Sequence, residues 1–223
     1  MHAIDPASLA LIIPIILRAM RARGPQEVTK ACTIIGSLFQ LIADPRDIAP
    51  YMESIISSIK VSVIDMTPEV RGVASRALGS MVLGVGPEYG EQVMPWLIGC
   101  MQSEGSTVER SGGAQGLCEI LVAIGEPRLT DVLMQLLPTS TNKSSNAREG
   151  LYWLLCFVPP AIGPEGFAPK IINTLPVLVQ GFADDVDQIR EVALRAGQVI
   201  VRQHGLSHTQ HVMPSIQGGL ESN

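Results

Sequence analysis

Between Asp65 and Gly86 the apolar residues Val70, Val73, Ala74, Ala77, Leu78, Met81, Val82 and Val85 are separated alternately by three residues and by one. That spacing gathers them on one wide face of an amphipathic helix. Thr67 stands at the N-cap position, Pro68 at the first helical position and Glu69 in the first turn, where the helix dipole favours an acid; Gly84 and Gly86 supply the stop.

The same pattern runs through the rest of the chain. It predicts a helix from about Asp5 to Met20, bent at Pro14, and after Gly24-Pro25 a second one carrying Val28, Ala31, Cys32, Ile35, Leu38, Phe39 and Ile42. Further helices are predicted over Ile48 to Ile64, Gln92 to Met101 with Pro95 inside, Val108 to Ile124, Leu129 to Leu137, Ala147 to Val158, Ile171 to Phe182 with Pro176 inside, and Ile189 to Val201. The polar stretch Thr139 to Asn146 reads as the loosest linker, and the segment around Val212, Met213, Pro214, Ile216 and Leu220 as one more first helix. No strand-like alternation interrupts the series.

Two kinds of landmark share one interval. The turn glycines Gly86, Gly125, Gly163 and Gly205 lie 39, 38 and 42 residues apart, and Arg71, Arg110, Arg148 and Arg190 repeat those intervals, with Lys30 one step earlier. A period near forty with two helices per unit is the signature of HEAT or armadillo repeats. The predicted fold is therefore all-α: a HEAT-repeat α-solenoid of about five helix pairs plus a half repeat. The chain 1–223 reads as one array, with units at about 5–42, 48–85, 88–124, 126–162 and 167–204 and a half unit at 206–222. No polar capping repeat closes the end, so the array is expected to be a piece of a longer one.

Aliphatic residues and only 4% aromatics suit helix-on-helix packing. The net charge of −5 argues against indiscriminate binding of polyanions, while leaving room for a local basic patch. Cys32, Cys100, Cys118 and Cys156 fall inside apolar helical segments without paired spacing, which predicts buried free thiols and a reducing compartment. The apolar run from Leu9 to Leu17 is too short to span a membrane, holds Pro14 and follows Asp5, so neither a signal peptide nor a membrane segment is predicted. The expected location is cytoplasmic.

The acids Asp65, Glu104 and Asp184 precede Arg71, Arg110 and Arg190 by six residues each, and Asn142 holds that place before Arg148. This predicts a structural ladder of acid and arginine along the stack; the other reading is a basic ribbon for phosphate or an acidic partner. Gly112, Gly113 and Gly116 inside a predicted helix point to close helix approach or to a partner's backbone lying against a flat face. Arg18, Arg21 and Arg23 close the first helix, where cations suit the dipole, but three in six residues exceed capping; with Arg46 they form the candidate polyanion contact.

No enzymatic activity, cofactor or metal site is predicted. Gly-Lys-Ser/Thr is absent, no histidine is followed by Glu, and Ser111-Gly112-Gly113 sits within a helical stripe and not at a strand end. His204, His208 and His211 have helical spacing, but Gly205 breaks that helix and no acid or cysteine completes a ligand set.

The runs SLALIIPIILRA, EVRGVASRALGSMV, VERSGGAQGLCEIL and VALRAGQVIV closely resemble the large HEAT-repeat translational activator of general amino acid control, in its central region similar to the HEAT region of fungal translation elongation factor three. The resemblance implies a non-catalytic scaffold on translating, stalled ribosomes. Its implied partners are the ribosome, an ATP-binding-cassette protein, and the kinase of the initiation factor two alpha subunit, the last engaged through other parts of the full protein. A HEAT scaffold of the nuclear transport or phosphatase type remains the alternative that periodicity alone leaves open.

Overall fold

The computed structural model describes residues 4–204. The half unit predicted at 206–222, with Gly205, His208, His211 and the side chain of His204, lies outside them. Five helix pairs follow one another. The first is α1 (Pro6–Ala19) with α2 (Pro25–Phe39); the second is α3 (Pro45–Ile48), a 3-10 turn at Ala49–Tyr51 and α4 (Met52–Val63), with α5 (Pro68–Val85). The third joins α6 (Pro87–Met101) to α7 (Thr107–Ile124), and the fourth joins α8 (Glu126–Leu136), extended by a 3-10 turn at Leu137–Thr141, to α9 (Ser145–Phe167). α9 breaks at Gly163, so its last turn, a 3-10 turn at Ala168–Lys170 and α10 (Ile171–Phe182) make the first half of the fifth pair, completed by α11 (Asp187–His204). The described residues contain no strand, only an isolated bridge between Ile4 and Ile42. The fold is a HEAT-repeat α-solenoid.

The turns between successive pairs are set by backbone chemistry. Gly86, Gly125 and Gly163 have φ of 125°, 124° and 71°, a region that L side chains rarely adopt, and these are three of the four glycines on the forty-residue interval. The first inter-pair turn has no such glycine; there Asp44 accepts a hydrogen bond from the backbone N–H of Arg46 and Pro45 opens the next helix.

Several local expectations are corrected. Thr67 stands at the N-cap of α5, but its hydroxyl makes no cap bond; Asp65 Oδ1 instead accepts from Thr67 N–H. Gly84 does not stop α5 but lies inside it, where a Cβ would meet the Phe39 carbonyl at 2.2 Å. The stretch Thr139 to Asn146 is not a loose linker. Its first residues belong to the 3-10 turn, Asn142 accepts from Ser144 N–H, and Ser144 caps α9.

The second helices, α2, α5, α7, α9 and α11, pack each against the next in one continuous layer, with the first helices outside them. α7 is the most enclosed, touching α4, α5, α6, α8 and α9. Its glycines permit that. A Cβ at Gly112 would lie 2.1 Å from the Val63 carbonyl oxygen at the end of α4, and one at Gly113 2.8 Å from that of Leu97 in α6. Close helix approach thus accounts for both. Gly150 repeats the knuckle one pair later, 2.0 Å from the Met101 carbonyl oxygen.

Candidate functional site

Because successive helices run antiparallel, the turns within pairs, at 20–24, 64–67, 102–106, 142–144 and 183–186, line one edge of the solenoid. The glycine turns line the other. Arg18, Arg21 and Arg23 are all exposed at the first of the within-pair turns, where α1 ends. Arg46 is not beside them. It opens α3 next to the Ile4–Ile42 bridge, at the start of α1, which is 14 residues long and so separates it from the other three by about 20 Å. Its guanidinium is moreover occupied by Asp44, with Nη2 2.6 Å from Oδ2, and that pairing holds the Asp44 carboxyl down at about 2. The candidate patch is therefore Arg18, Arg21 and Arg23.

The arginines at forty-residue intervals sit on the same edge, in the first turns of α5, α7, α9 and α11. For three of them the residue six positions earlier contributes a backbone carbonyl and not a carboxylate. Arg71 Nη1 donates to the carbonyl of Asp65 at 2.8 Å, Arg148 Nη1 to that of Asn142 at 2.9 Å, and Arg190 Nη1 to that of Asp184 at 2.6 Å. Arg110 Nη1 donates to the carbonyls of Ser103 and Gly105. Glu104 is exposed and is not its partner, so the acid expected at that rung is a correction.

The carboxylates come from the following pair. Arg110 Nη2 lies 2.8 Å from Glu149 Oε2 with both side chains buried, and Arg148 grips Asp184 through Nε at 2.7 Å and Nη2 at 2.9 Å. Arg190 turns to Asp187 in its own first turn. Arg71 has no ion pair among the described residues; Ser111 stands one residue after Arg110, as Glu149 stands one after Arg148, and Arg71 Nε is buried without a hydrogen bond. Burial correspondingly lowers the Arg71 pKa, whereas the hydrogen bond from Arg148 holds the Asp184 carboxyl at about 2.

Sequence reasoning missed the centre of this network. Glu149 also accepts from Trp153 Nε1 at 3.0 Å and from Gln188 Nε2, and Gln188 reaches back to Thr107, so one carboxylate joins α7, α9 and α11. Arg195 lies over the Trp153 ring at 5.3 Å. A search at the Arg110-to-Glu149 separation, one full period, was the signal available for it. Among the described residues no group of His, Cys, Asp and Glu is arranged to hold a metal ion, and no helix is long and apolar enough to cross a membrane.

Residues 1–91 match the family model described as elongation factor 3/GNC1 HEAT repeat. The chain is 36% identical over 216 residues, 97% of its length, to the eIF-2-alpha kinase activator GCN1 of Dictyostelium discoideum. It is 34% identical over 221 residues, 98% of its length, to the stalled ribosome sensor GCN1 of Homo sapiens. The chain belongs to the GCN1 family. It spans 8% of the length of each of these GCN1 relatives. Elongation factor 3 of Candida albicans is a more distant likeness, 30% identical over 76 residues, covering 34% of this chain and 7% of that protein.

Proposed function

We propose that this chain is a stiff, non-catalytic stretch of a cytoplasmic scaffold in translational control, which presents its within-pair turn edge to the ribosome. The observation that carries this reading is the match to GCN1 relatives along nearly the whole chain, one of them named a stalled ribosome sensor and another an eIF-2-alpha kinase activator. The kinase is engaged under amino acid starvation or ribosome stalling through other parts of the full protein, and an ATP-binding-cassette protein is the second partner. The residues 5–42, 48–85, 88–124, 126–162 and 167–204 act as consecutive repeats of one array. In this division of labour the arginines Arg110, Arg148 and Arg190 are spacers, with Asp184 among their acids, and Arg18, Arg21 and Arg23 face phosphates.

Exposed guanidiniums that neutralise phosphates release counterions, so binding falls with salt in proportion to their number. Cosedimentation of the chain with purified ribosomes across a salt series checks this. Replacing Arg18, Arg21 and Arg23 by Ala is expected to flatten the salt dependence by about two units of log–log slope while leaving thermal stability unchanged, at roughly 0.7 per phosphate on single strands. Association that is absent, or identical for the variant, would overturn the assignment of the patch. Capture of a transport receptor or phosphatase subunit in place of ribosomes would favour a general HEAT scaffold.

A further inference from the structure

Beside the arginine patch lies a cleft of about 440 Å³, between the end of α1 and the facing sides of α2 and α4; its lining includes Met20, Arg21, Val28, Ser58, Val61 and Asp65. Three polar groups there have unused hydrogen-bonding capacity. Ser58 is 6% exposed, and its Oγ is a buried atom with no hydrogen-bond partner. That is unusual for a helical serine, which has a carbonyl four residues back within reach; Ser62 Oγ makes that bond to the Ser58 carbonyl at 3.3 Å. Asp65 spends Oδ1 on Thr67 N–H at 2.7 Å, and its Oδ2 has neither hydrogen bond nor ion pair among the described residues. Arg21 is exposed and has no ion pair there either.

A single ligand that uses all three must bring an anion for Arg21, an N–H donor for Asp65 and a group that pairs with a hydroxyl. It must also have flat apolar faces for Met20, Val28 and the exposed Val61. A phosphate alone meets the first need and is repelled by Asp65. A nucleotide meets all of them: the phosphodiester pairs with the guanidinium, a base amino group donates to the carboxylate, and the base faces lie on apolar walls.

We propose that this cleft receives an unstacked, amino-bearing base of single-stranded RNA, with its phosphate on Arg21, so that the arginine patch reads an RNA single strand and not merely a field of phosphates. This rests on the ribosome-facing reading above and adds to it a base-binding site.

The test uses the whole chain and a ten-nucleotide RNA of alternating A and C, with the same strand made abasic as the comparison, both followed by fluorescence anisotropy. The intact strand is expected to bind about tenfold tighter than the abasic one. Ser58→Ala is the sharper variant, because deleting an unpaired buried hydroxyl should leave the melting temperature unchanged or raise it, while weakening the intact strand by about three- to tenfold. Asp65→Asn should weaken the intact strand and leave the abasic one unaffected. Equal binding of the two strands, or a Ser58→Ala protein that binds normally, would overturn the base site. If ribosome association persists in that case, the arginine patch alone accounts for it. Tight binding of an acidic peptide with no binding of either strand would replace RNA by a protein partner.

Discussion

Arg148 and Asp184 show most plainly what a single rung contributes. The guanidinium holds the carboxyl at about 2 against 3.8 for an ordinary aspartate, so the folded state prefers the charged form. A folded pKa below the unfolded one adds stability that is fully present above about pH 4 and disappears as pH falls toward 2. Asp184→Asn should therefore lower the melting temperature at pH 6, with the gap to the wild type closing as the pH approaches 2; a gap independent of pH would mean that the carboxylate charge is not what stabilises the rung. At this scale the sequence was only half legible. The arginines announced themselves by period, and their acids were sought six residues earlier. Any residue supplies a carbonyl, however, so the identity at that offset carries little information, and the true acids, Glu149 and Asp184, stand a whole repeat away.

Among whole helices, glycine decides how closely two axes approach. Gly112 and Gly150 each face a carbonyl oxygen near 2 Å from where a Cβ would sit, whereas Gly99 in α6 has nothing within 4 Å. Alanine adds about 1 kcal/mol of helix propensity at any of the three. At Gly112 and Gly150 overpacking of about 1–3 kcal/mol outweighs that gain, because the neighbour is backbone and cannot turn aside. Chemical denaturation should thus rank Gly99→Ala above wild type and Gly112→Ala and Gly150→Ala below it. Loss of stability in all three, or in none, would contradict the steric account. The sequence revealed helix existence through apolar spacing, and Gly112 stood out by its crowded glycine neighbours; Gly150, alone in its stretch, did not. The split of the second pair's first helix at Ala49–Tyr51 was equally hidden, since a 3-10 turn leaves the apolar pattern nearly intact.

Across the whole array, stability is a sum of pairs and the contacts between them, so the chain need not open everywhere at once. α7, enclosed on all sides, and α2, with a neighbour in the second-helix layer on one side only, stand at opposite ends of that scale among the described residues. The four buried thiols are distributed across this gradient, Cys32 in α2, Cys100 in α6, Cys118 in α7 and Cys156 in α9. Burial pushes every one of them up, Cys100 to about 11 and Cys156 to about 12, so near neutral pH the reactive thiolate is scarce until its helix lifts away. The protein thus carries its own clock for unfolding. Pulsed maleimide alkylation in mild denaturant, followed by mass spectrometry, should mark Cys32 first and Cys118 last, and equal rates at all four would mean that the array opens as one body.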